Sequence, residues 1–167
     1  MQAIQHQDSP LGKILLAADE IGLTGLWFEG QKEFERMRPW TGEEESLPAL
    51  KQARRWLDLY FDGREPDFSV PLHPAGTAFQ QSVWNILLTI PYGKTTTYGE
   101  IARQIAAQNG LARMSAQAVG GAVSRNPIAI LVPCHRVIGA DGSLTGYAGG
   151  VERKRALLAL ESHSRMG

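Results

Sequence analysis

The chain has 167 residues, of which 43% are hydrophobic and 20% are charged, and its formal net charge at pH 7 is zero. This composition indicates a globular protein and excludes disordered and collagen-like chains, and no apolar run reaches the roughly 18 residues that a membrane span needs. A single cysteine excludes a disulfide framework and paired-cysteine zinc sites, and an N-terminus without a basic and then apolar leader predicts a cytoplasmic protein.

The first half of the chain opens with strand patterns. Apolar runs over 14–18 and 23–28, each bounded by turn residues, predict two strands of a hairpin or meander. Residues 31–46 are polar and include the acidic run 43–45, so they are expected to form a solvated loop or the start of a helix. Together these patterns place a small sheet near the N-terminus.

A helix and a linker follow the strands. Ser46 is predicted to cap a helix whose apolar positions recur at helical spacing from Leu50 to Tyr60. Three prolines and a glycine between 64 and 76 then predict a linker. We therefore expect two domains, an α/β supporting domain over 1–76 and a second domain over 77–167.

The two predicted domains differ in charge. Residues 1–75 carry 8 basic and 13 acidic side chains, whereas residues 76–167 carry 9 basic and 4 acidic ones. A basic domain is typical of proteins that contact phosphates, although a chance distribution gives the same split. The charge distribution alone therefore does not decide whether the protein binds nucleic acid.

The second domain begins with three helical patterns. Thr77 is predicted to cap a helix that extends to Ile90, and Thr97 is predicted to open a shorter one. A third helix, over 115–124, is rich in alanine, valine and glycine. The last two helices, joined by a polar connection, fit a helix-turn-helix.

The end of the chain contains a motif, a loop and a helix. The apolar run 128–132 predicts a buried strand or extended segment that leads into Pro-Cys-His-Arg at 133–136. A glycine-rich loop is expected over 139–150, and a basic amphipathic helix over 151–161.

Cys134 is the candidate nucleophile. A thiol needs activation to act at neutral pH, and the adjacent His135 and Arg136 offer a proton acceptor and a positive charge. The alternative is that Cys134 is a small buried apolar residue whose neighbours point elsewhere. One cysteine beside one histidine does not decide between the two.

Eight segments of the second domain together carry a family pattern, most specifically in the Pro-Cys-His-Arg motif. They are 77–84, 90–93, 97–102, 118–122, 126–127, 130–139, 144–150 and 157–161. On these segments the chain resembles the O6-alkylguanine-DNA alkyltransferase family over essentially all of 77–161. The first 76 residues resemble the family's smaller domain only in length and in the strand opening at 9–12.

The resemblance implies an α+β fold. A small N-terminal antiparallel sheet with a helix, ribonuclease-H-like, would accompany a mostly helical C-terminal domain with a winged-helix-like helix-turn-helix. The implied function is DNA repair by direct, stoichiometric and irreversible transfer of a methyl or alkyl group to the protein's own cysteine. The protein would thus be a single-turnover methylated-DNA–protein-cysteine S-methyltransferase that acts on O6-alkylguanine, and on O4-alkylthymine, after base flipping.

The resemblance also implies the partners. The substrate would be double-stranded DNA containing O6-alkylguanine, contacted in the minor groove by the helix over 115–124. The protein would act as a monomer, without a cofactor and without a membrane partner. Zinc, which some relatives carry, is not expected, because His6, His73 and His163 have no second cysteine to join them.

Five residues receive catalytic roles from the resemblance. Cys134 would accept the alkyl group, and His135 would take its proton through a water. Glu161 would orient the imidazole, as in other nucleophile–base–carboxylate relays. Tyr98 would donate to N3 of the flipped base, and Asn126 would hold the turn beside the nucleophile.

The base pocket and the DNA contacts follow in the same way. The pocket residues would be Tyr98, Val137, Tyr147 and Ala148. DNA contacts are assigned to Gln117, Arg113, Arg125, Arg136 and Gly99. The family commonly has an arginine where this chain has Gln117, and the resemblance therefore implies weaker binding to undamaged DNA.

Three other functions are alternatives to alkyl transfer. A module that recognises damage without repairing it remains the main alternative, although such proteins carry tryptophan in place of Cys134. A Cys-His hydrolase would need an oxyanion hole, for which no distinct motif is present. A transcription factor fits the helix-turn-helix but gives no reason for the Pro-Cys-His-Arg motif.

Overall fold

The computed structural model describes residues 3–37, 47–144 and 146–162. The chain divides into two compact units. The first runs to Ala75 and also takes in the C-terminal segment from Ala159, and the second covers Gly76–Leu158. The expected α+β class is confirmed, since a three-stranded antiparallel sheet with helices forms the first unit and helices dominate the second.

The sheet of the first unit has the order β1-β2-β3, with β1 at Ala3–Gln7, β2 at Ile14–Ala18 and β3 at Leu23–Phe28. All five residues of the central strand β2 are buried. The two apolar runs are thus confirmed as strands with the predicted bounds. Strand β1 was not predicted, because its sequence Ala-Ile-Gln-His-Gln offers only two apolar residues.

Two helices accompany the sheet. Helix α1 spans Lys32–Met37, and helix α2 spans Pro48–Phe61. The prediction that Ser46 caps α2 is wrong, because the N-cap is Leu47, whose side chain makes no capping bond, and proline occupies the first helical turn. Ser46 itself and the acidic run 43–45 lie outside the described residues.

The segment predicted as a linker packs along the sheet. The backbone N–H of Leu23 donates to the Pro71 carbonyl at 2.8 Å, and that of His73 donates to the Leu23 carbonyl at 2.7 Å. Asp19 also contacts the His73 ring at 2.7 Å. Because these bonds pair the segment with β3, residues up to His73 form part of the first unit rather than a free connection.

The second unit contains the three predicted helices. Helix α3 spans Ala78–Leu87, with Thr77 and Gln80 forming a capping box, and it ends before Ile90, contrary to the prediction. Helix α4 spans Tyr98–Gln108, and helix α5 spans Ala116–Ser124. Their N-caps are Thr97 and Ser115, each accepting a backbone N–H at 3.1 Å. Helices α4 and α5 form the expected helix-turn-helix.

Two short strands bring distant parts of this unit together. Strand β4, Thr96–Thr97, pairs in parallel with β5, Val137–Ile138. Tyr98 directly follows β4, and a single 3₁₀ turn over Cys134–Arg136 directly precedes β5. The pairing therefore places the start of the helix-turn-helix beside the cysteine motif.

The apolar run 128–132 is buried but is not the strand or extended segment predicted. It forms consecutive turns, and Ile130 has a φ of 71°, in the left-handed region that β-branched residues avoid. The chain then passes through the glycine-rich loop into helix α6, Val151–Ser162.

Candidate active site and nucleic-acid interface

Cys134 lies at the start of the 3₁₀ turn, with only 7% of its surface exposed. Its backbone N–H donates to the Val132 carbonyl at 2.8 Å. The turn before it is closed by Asn126, whose Nδ2 donates to the same carbonyl at 2.8 Å and whose Oδ1 accepts the N–H of Ile128 at 3.0 Å. One asparagine side chain thus fixes both ends of the segment that presents the thiol.

The surroundings of the thiol act on its ionisation in opposite directions. Burial raises the pKa of Cys134 to about 11, whereas a hydrogen bond with Asn126 and the positive charge of Lys154 lower it. At neutral pH the resting thiol is therefore protonated. A nucleophilic role requires a neighbouring group to take the proton.

Lys154 was not predicted from the sequence, although it lies near the thiol. Its side chain is 1% exposed, and Nζ donates to the Val137 carbonyl at 2.6 Å. Burial lowers the pKa of this ammonium group, and Cys134 acts in the opposite direction. Lys154, Leu157 and Glu161 are the buried residues of α6 at helical spacing, so its buried face holds two charged side chains and the expected simple amphipathic pattern is absent.

His135 and Arg136 are both buried. The His135 ring has no exposed surface, and Arg136 is 8% exposed. The Arg136 guanidinium donates through Nη1 to the Ile90 carbonyl at 2.7 Å and lies over the Tyr92 ring at 5.6 Å. The prediction that Arg136 contacts DNA is therefore corrected, because its charged end is used inside the unit to hold the turn that follows α3.

Glu161 is buried in the first unit, at 4% exposure. Its Oε2 accepts a hydrogen bond of 2.6 Å from the hydroxyl of Tyr60 on α2. Sequence reasoning missed Tyr60, which it treated as one apolar position of a helix. The two residues are 101 positions apart in the chain, so no local pattern could have paired them.

Tyr98 and the glycine-rich loop meet in the second unit. Tyr98 is the first residue of α4 and is half-buried, and burial followed by the nearby Cys134 raises the pKa of its hydroxyl. A Cβ on Gly146, where φ is +77°, would lie 3.3 Å from that hydroxyl. The positive φ and the close approach to the hydroxyl together favour glycine here.

The remaining predicted pocket residues differ in exposure. Val137 is fully buried in β5 and Tyr147 is 8% exposed, whereas Ala148 is exposed. Around the thiol, the structure thus brings Asn126, Lys154 and Tyr98 into hydrogen-bonding or electrostatic contact.

Helix α5 exposes a face of small side chains. Val119, Ala122 and Val123 are buried, whereas Ala116, Gln117, Ala118 and Gly121 are exposed. A Cβ on Gly121 would meet nothing within 4 Å. The fold itself therefore does not require a glycine at this position.

The other predicted DNA contacts lie around this helix-turn-helix. Arg113 is exposed before α5, and Arg125 is exposed at its C-cap. Gly99 and Arg113 line an open cleft of about 450 Å³ between α4 and the start of α5. Arg103, in the same cleft, pairs with Glu100 at 2.5 Å.

No group of three or more His, Cys, Asp or Glu side chains in 3–37, 47–144 and 146–162 could hold a metal ion. No helix in those ranges is both long and apolar enough to cross a membrane.

Comparison with protein families gives two matches. Residues 5–74 match the model described as 6-O-methylguanine DNA methyltransferase, ribonuclease-like domain. Residues 78–163 match 6-O-methylguanine DNA methyltransferase, DNA binding domain. The two matches together cover both units.

Curated relatives are similar over almost their whole length. The chain is 52% identical over 155 residues to a methylated-DNA–protein-cysteine methyltransferase of Methanosarcina acetivorans, which covers 92% of this chain and 94% of that protein. It is 49% identical over 159 residues to the protein of the same name from Mycobacterium leprae, covering 95% and 92%.

Solved structures of similar proteins also align with almost the whole chain. The O6-methylguanine methyltransferase of Mycobacterium tuberculosis aligns with a TM-score of 0.85 at 47% identity, over 100% of this chain and 96% of that one. A structure of Mycobacterium tuberculosis OGT in complex with DNA aligns with a TM-score of 0.81 at 48% identity, over 96% and 92%.

Proposed function

Because this chain belongs to the 6-O-methylguanine DNA methyltransferase family, we propose that it repairs DNA by moving an alkyl group from O6-alkylguanine to Cys134. The observation that carries the proposal is the environment of Cys134, the only cysteine in the sequence. Asn126 holds the turn before it, Lys154 and Tyr98 interact with it electrostatically, and a buried histidine follows it. The protein is then a methylated-DNA–protein-cysteine S-methyltransferase that acts once.

The reaction is a displacement at the alkyl carbon. The Cys134 sulfur forms the new bond to carbon while the bond from carbon to O6 breaks, and its electron pair returns to the purine. The thiol proton passes through a water to His135 and ends on the departing guanine. A thioether is the product, and nothing in the site reverses it.

Two further groups assist in this proposal. Tyr98 donates its hydroxyl to N3 of the flipped base, which stabilises the charge that develops on the purine. A phenol is protonated and able to donate at neutral pH, and the raised pKa of Tyr98 extends that range to higher pH. Glu161 is the carboxylate assigned to orient His135.

DNA binding is assigned to helix α5. Its exposed small residues allow close approach to a minor groove, which suits damage that carries no sequence code. Arg113 and Arg125 supply phosphate contacts, and Gln117 takes the place left by the flipped base. We assign 77–167 to DNA binding and alkyl acceptance and 1–76 to support, with double-stranded DNA bound by a single copy of the chain.

The first test measures loss of the lesion. Double-stranded oligonucleotides with one O6-methylguanine are incubated with increasing protein, and the released nucleosides are separated by chromatography. We expect one lesion removed per protein molecule, with no further turnover, and none removed by Cys134→Ser. Binding without removal would instead establish the alternative of a damage-recognising module, and repeated turnover would refute the single-use reaction.

A further inference from the structure

The first unit contains a buried pair that the proposed reaction does not yet use. The Tyr60 hydroxyl donates to Oε2 of Glu161 at 2.6 Å, and the two side chains are 0% and 4% exposed. Both belong to the unit formed by the N-terminal residues and the segment from Ala159. The pair therefore joins helix α2 to the C-terminal end of the chain.

A buried carboxylate is destabilising unless donors satisfy it. The bond from Tyr60 has the length of a charge-assisted O–H···O⁻ hydrogen bond, which is among the strong ones in proteins. The hydroxyl thus satisfies one oxygen of the buried carboxylate and selects one orientation for it.

The Tyr60 ring is itself held in place. It stacks on Trp56 with centroids 5.3 Å apart and planes at 11°, and it meets Phe61 edge-on at 5.4 Å and 88°. All three residues belong to α2. The position of the hydroxyl is therefore set by the packing of this helix.

We propose that Tyr60 is a positioning residue for alkyl transfer, acting through Glu161. This inference rests on the proposed function, in which Glu161 is the carboxylate of the proton relay. Helix α2 then contributes to the reaction itself.

The test is single-turnover transfer from an O6-methylguanine duplex by Tyr60→Phe, which keeps the ring and removes the hydroxyl. We expect the rate constant at saturating DNA to fall about tenfold, the size of one charged hydrogen bond. The DNA concentration for half-maximal rate is expected to stay within about twofold, since α5 is untouched. An unchanged saturating rate, or a change only in DNA affinity, would overturn the proposal.

Leu50→Ala is the matched control, because it removes buried packing from the same helix but changes neither Tyr60 nor the rings that contact it. It is expected to lower the melting temperature while transferring at close to the wild-type rate. If both variants lose rate in proportion to lost stability, Tyr60 is only structural and the proposal is wrong.

Tyr60→Phe leaves the buried Glu161 carboxylate without this donor, and the variant could fail to fold for that reason. In that case a double variant still tests the proposal. Tyr60→Phe with Glu161→Gln removes hydroxyl and charge together, which is much better tolerated. We expect the double variant to transfer no more slowly than Glu161→Gln alone. If the fold-losses in rate of the two single variants multiply in the double variant, Tyr60 does not act through Glu161. If wild type and Leu50→Ala transfer nothing, the proposed function itself is wrong and this role falls with it.

Discussion

In the turn that leads to Cys134, we predict that glycine at position 130 is more stable than alanine, the opposite of the usual order. Ile130 has a φ of 71° and is 1% exposed. For an L-residue the left-handed region costs about 1–2 kcal/mol, a penalty that glycine escapes. At ordinary positions glycine is instead less stable than alanine by about 0.5–1 kcal/mol, because it loses more conformational freedom on folding.

Ile128 provides the matched control, since it is fully buried two residues earlier and its φ is not in the positive region. Truncation to alanine or glycine removes the same core packing at each site, so the comparison within each pair cancels most of that loss. We expect Ile130→Gly to be more stable than Ile130→Ala by up to about 1 kcal/mol, and Ile128→Gly to be less stable than Ile128→Ala by about 0.5–1 kcal/mol.

Urea unfolding at equilibrium measures all four variants, with the midpoint and slope determined separately. The free energy of unfolding of the glycine variant minus that of the alanine variant should be higher at position 130 than at position 128 by about 1–2 kcal/mol, the cost of the left-handed backbone. If alanine is the more stable residue at both positions, Ile130 does not hold a left-handed backbone, and the description of the turn before the thiol is wrong.

Three further predictions concern the site. Gly121→Ala should stabilise the fold by about 0.5–1 kcal/mol in thermal unfolding, because its Cβ meets nothing, while Gly121→Leu should weaken duplex binding at least about tenfold in a titration without loss of stability. Lys154→Met should slow transfer at neutral pH and move the pH–rate profile to higher pH, because the Lys154 charge lowers the pKa of Cys134; an unchanged profile would exclude this coupling. Folding stability should fall as pH rises from 9 to 11, because the pKa of Cys134 is raised from 9.0 to about 11 in the folded protein, so the unfolded chain releases the proton first. The loss should be about 2–3 kcal/mol in urea unfolding and absent in Cys134→Ser.

Local patterns were sufficient for much of the scaffold. The apolar runs of β2 and β3, the caps Thr77 and Thr97 and the small apolar residues of 115–124 are local signals, and the structure has these elements where they indicate. The helix-turn-helix follows from the last two helices.

The errors arose where specific side-chain hydrogen bonds decide the structure. The run 128–132 is as apolar as a buried strand, but the Asn126 side chain folds it into a turn. Arg136 carries the charge expected of a DNA contact, yet a carbonyl of the turn after α3 holds it inside. Such choices depend on individual side-chain partners, which periodicity does not show.

The same reason explains the residues that were missed. Lys154 lies on the terminal helix and Tyr60 at an apolar position of α2, but the polar end of each has a buried partner, the Val137 carbonyl and the Glu161 carboxylate. For Lys154 the helical spacing to the apolar Leu157 was the available signal, and it marks the buried face of α6.

The most direct test of the central claim is the intact mass of the protein after incubation with a duplex containing O6-methylguanine, with peptide mapping. We predict a gain of one methyl group, on Cys134 alone, that stops at one equivalent and is absent in Cys134→Ser and with an unmodified duplex. An unchanged mass despite DNA binding, or a methyl group on any other residue, would contradict the account.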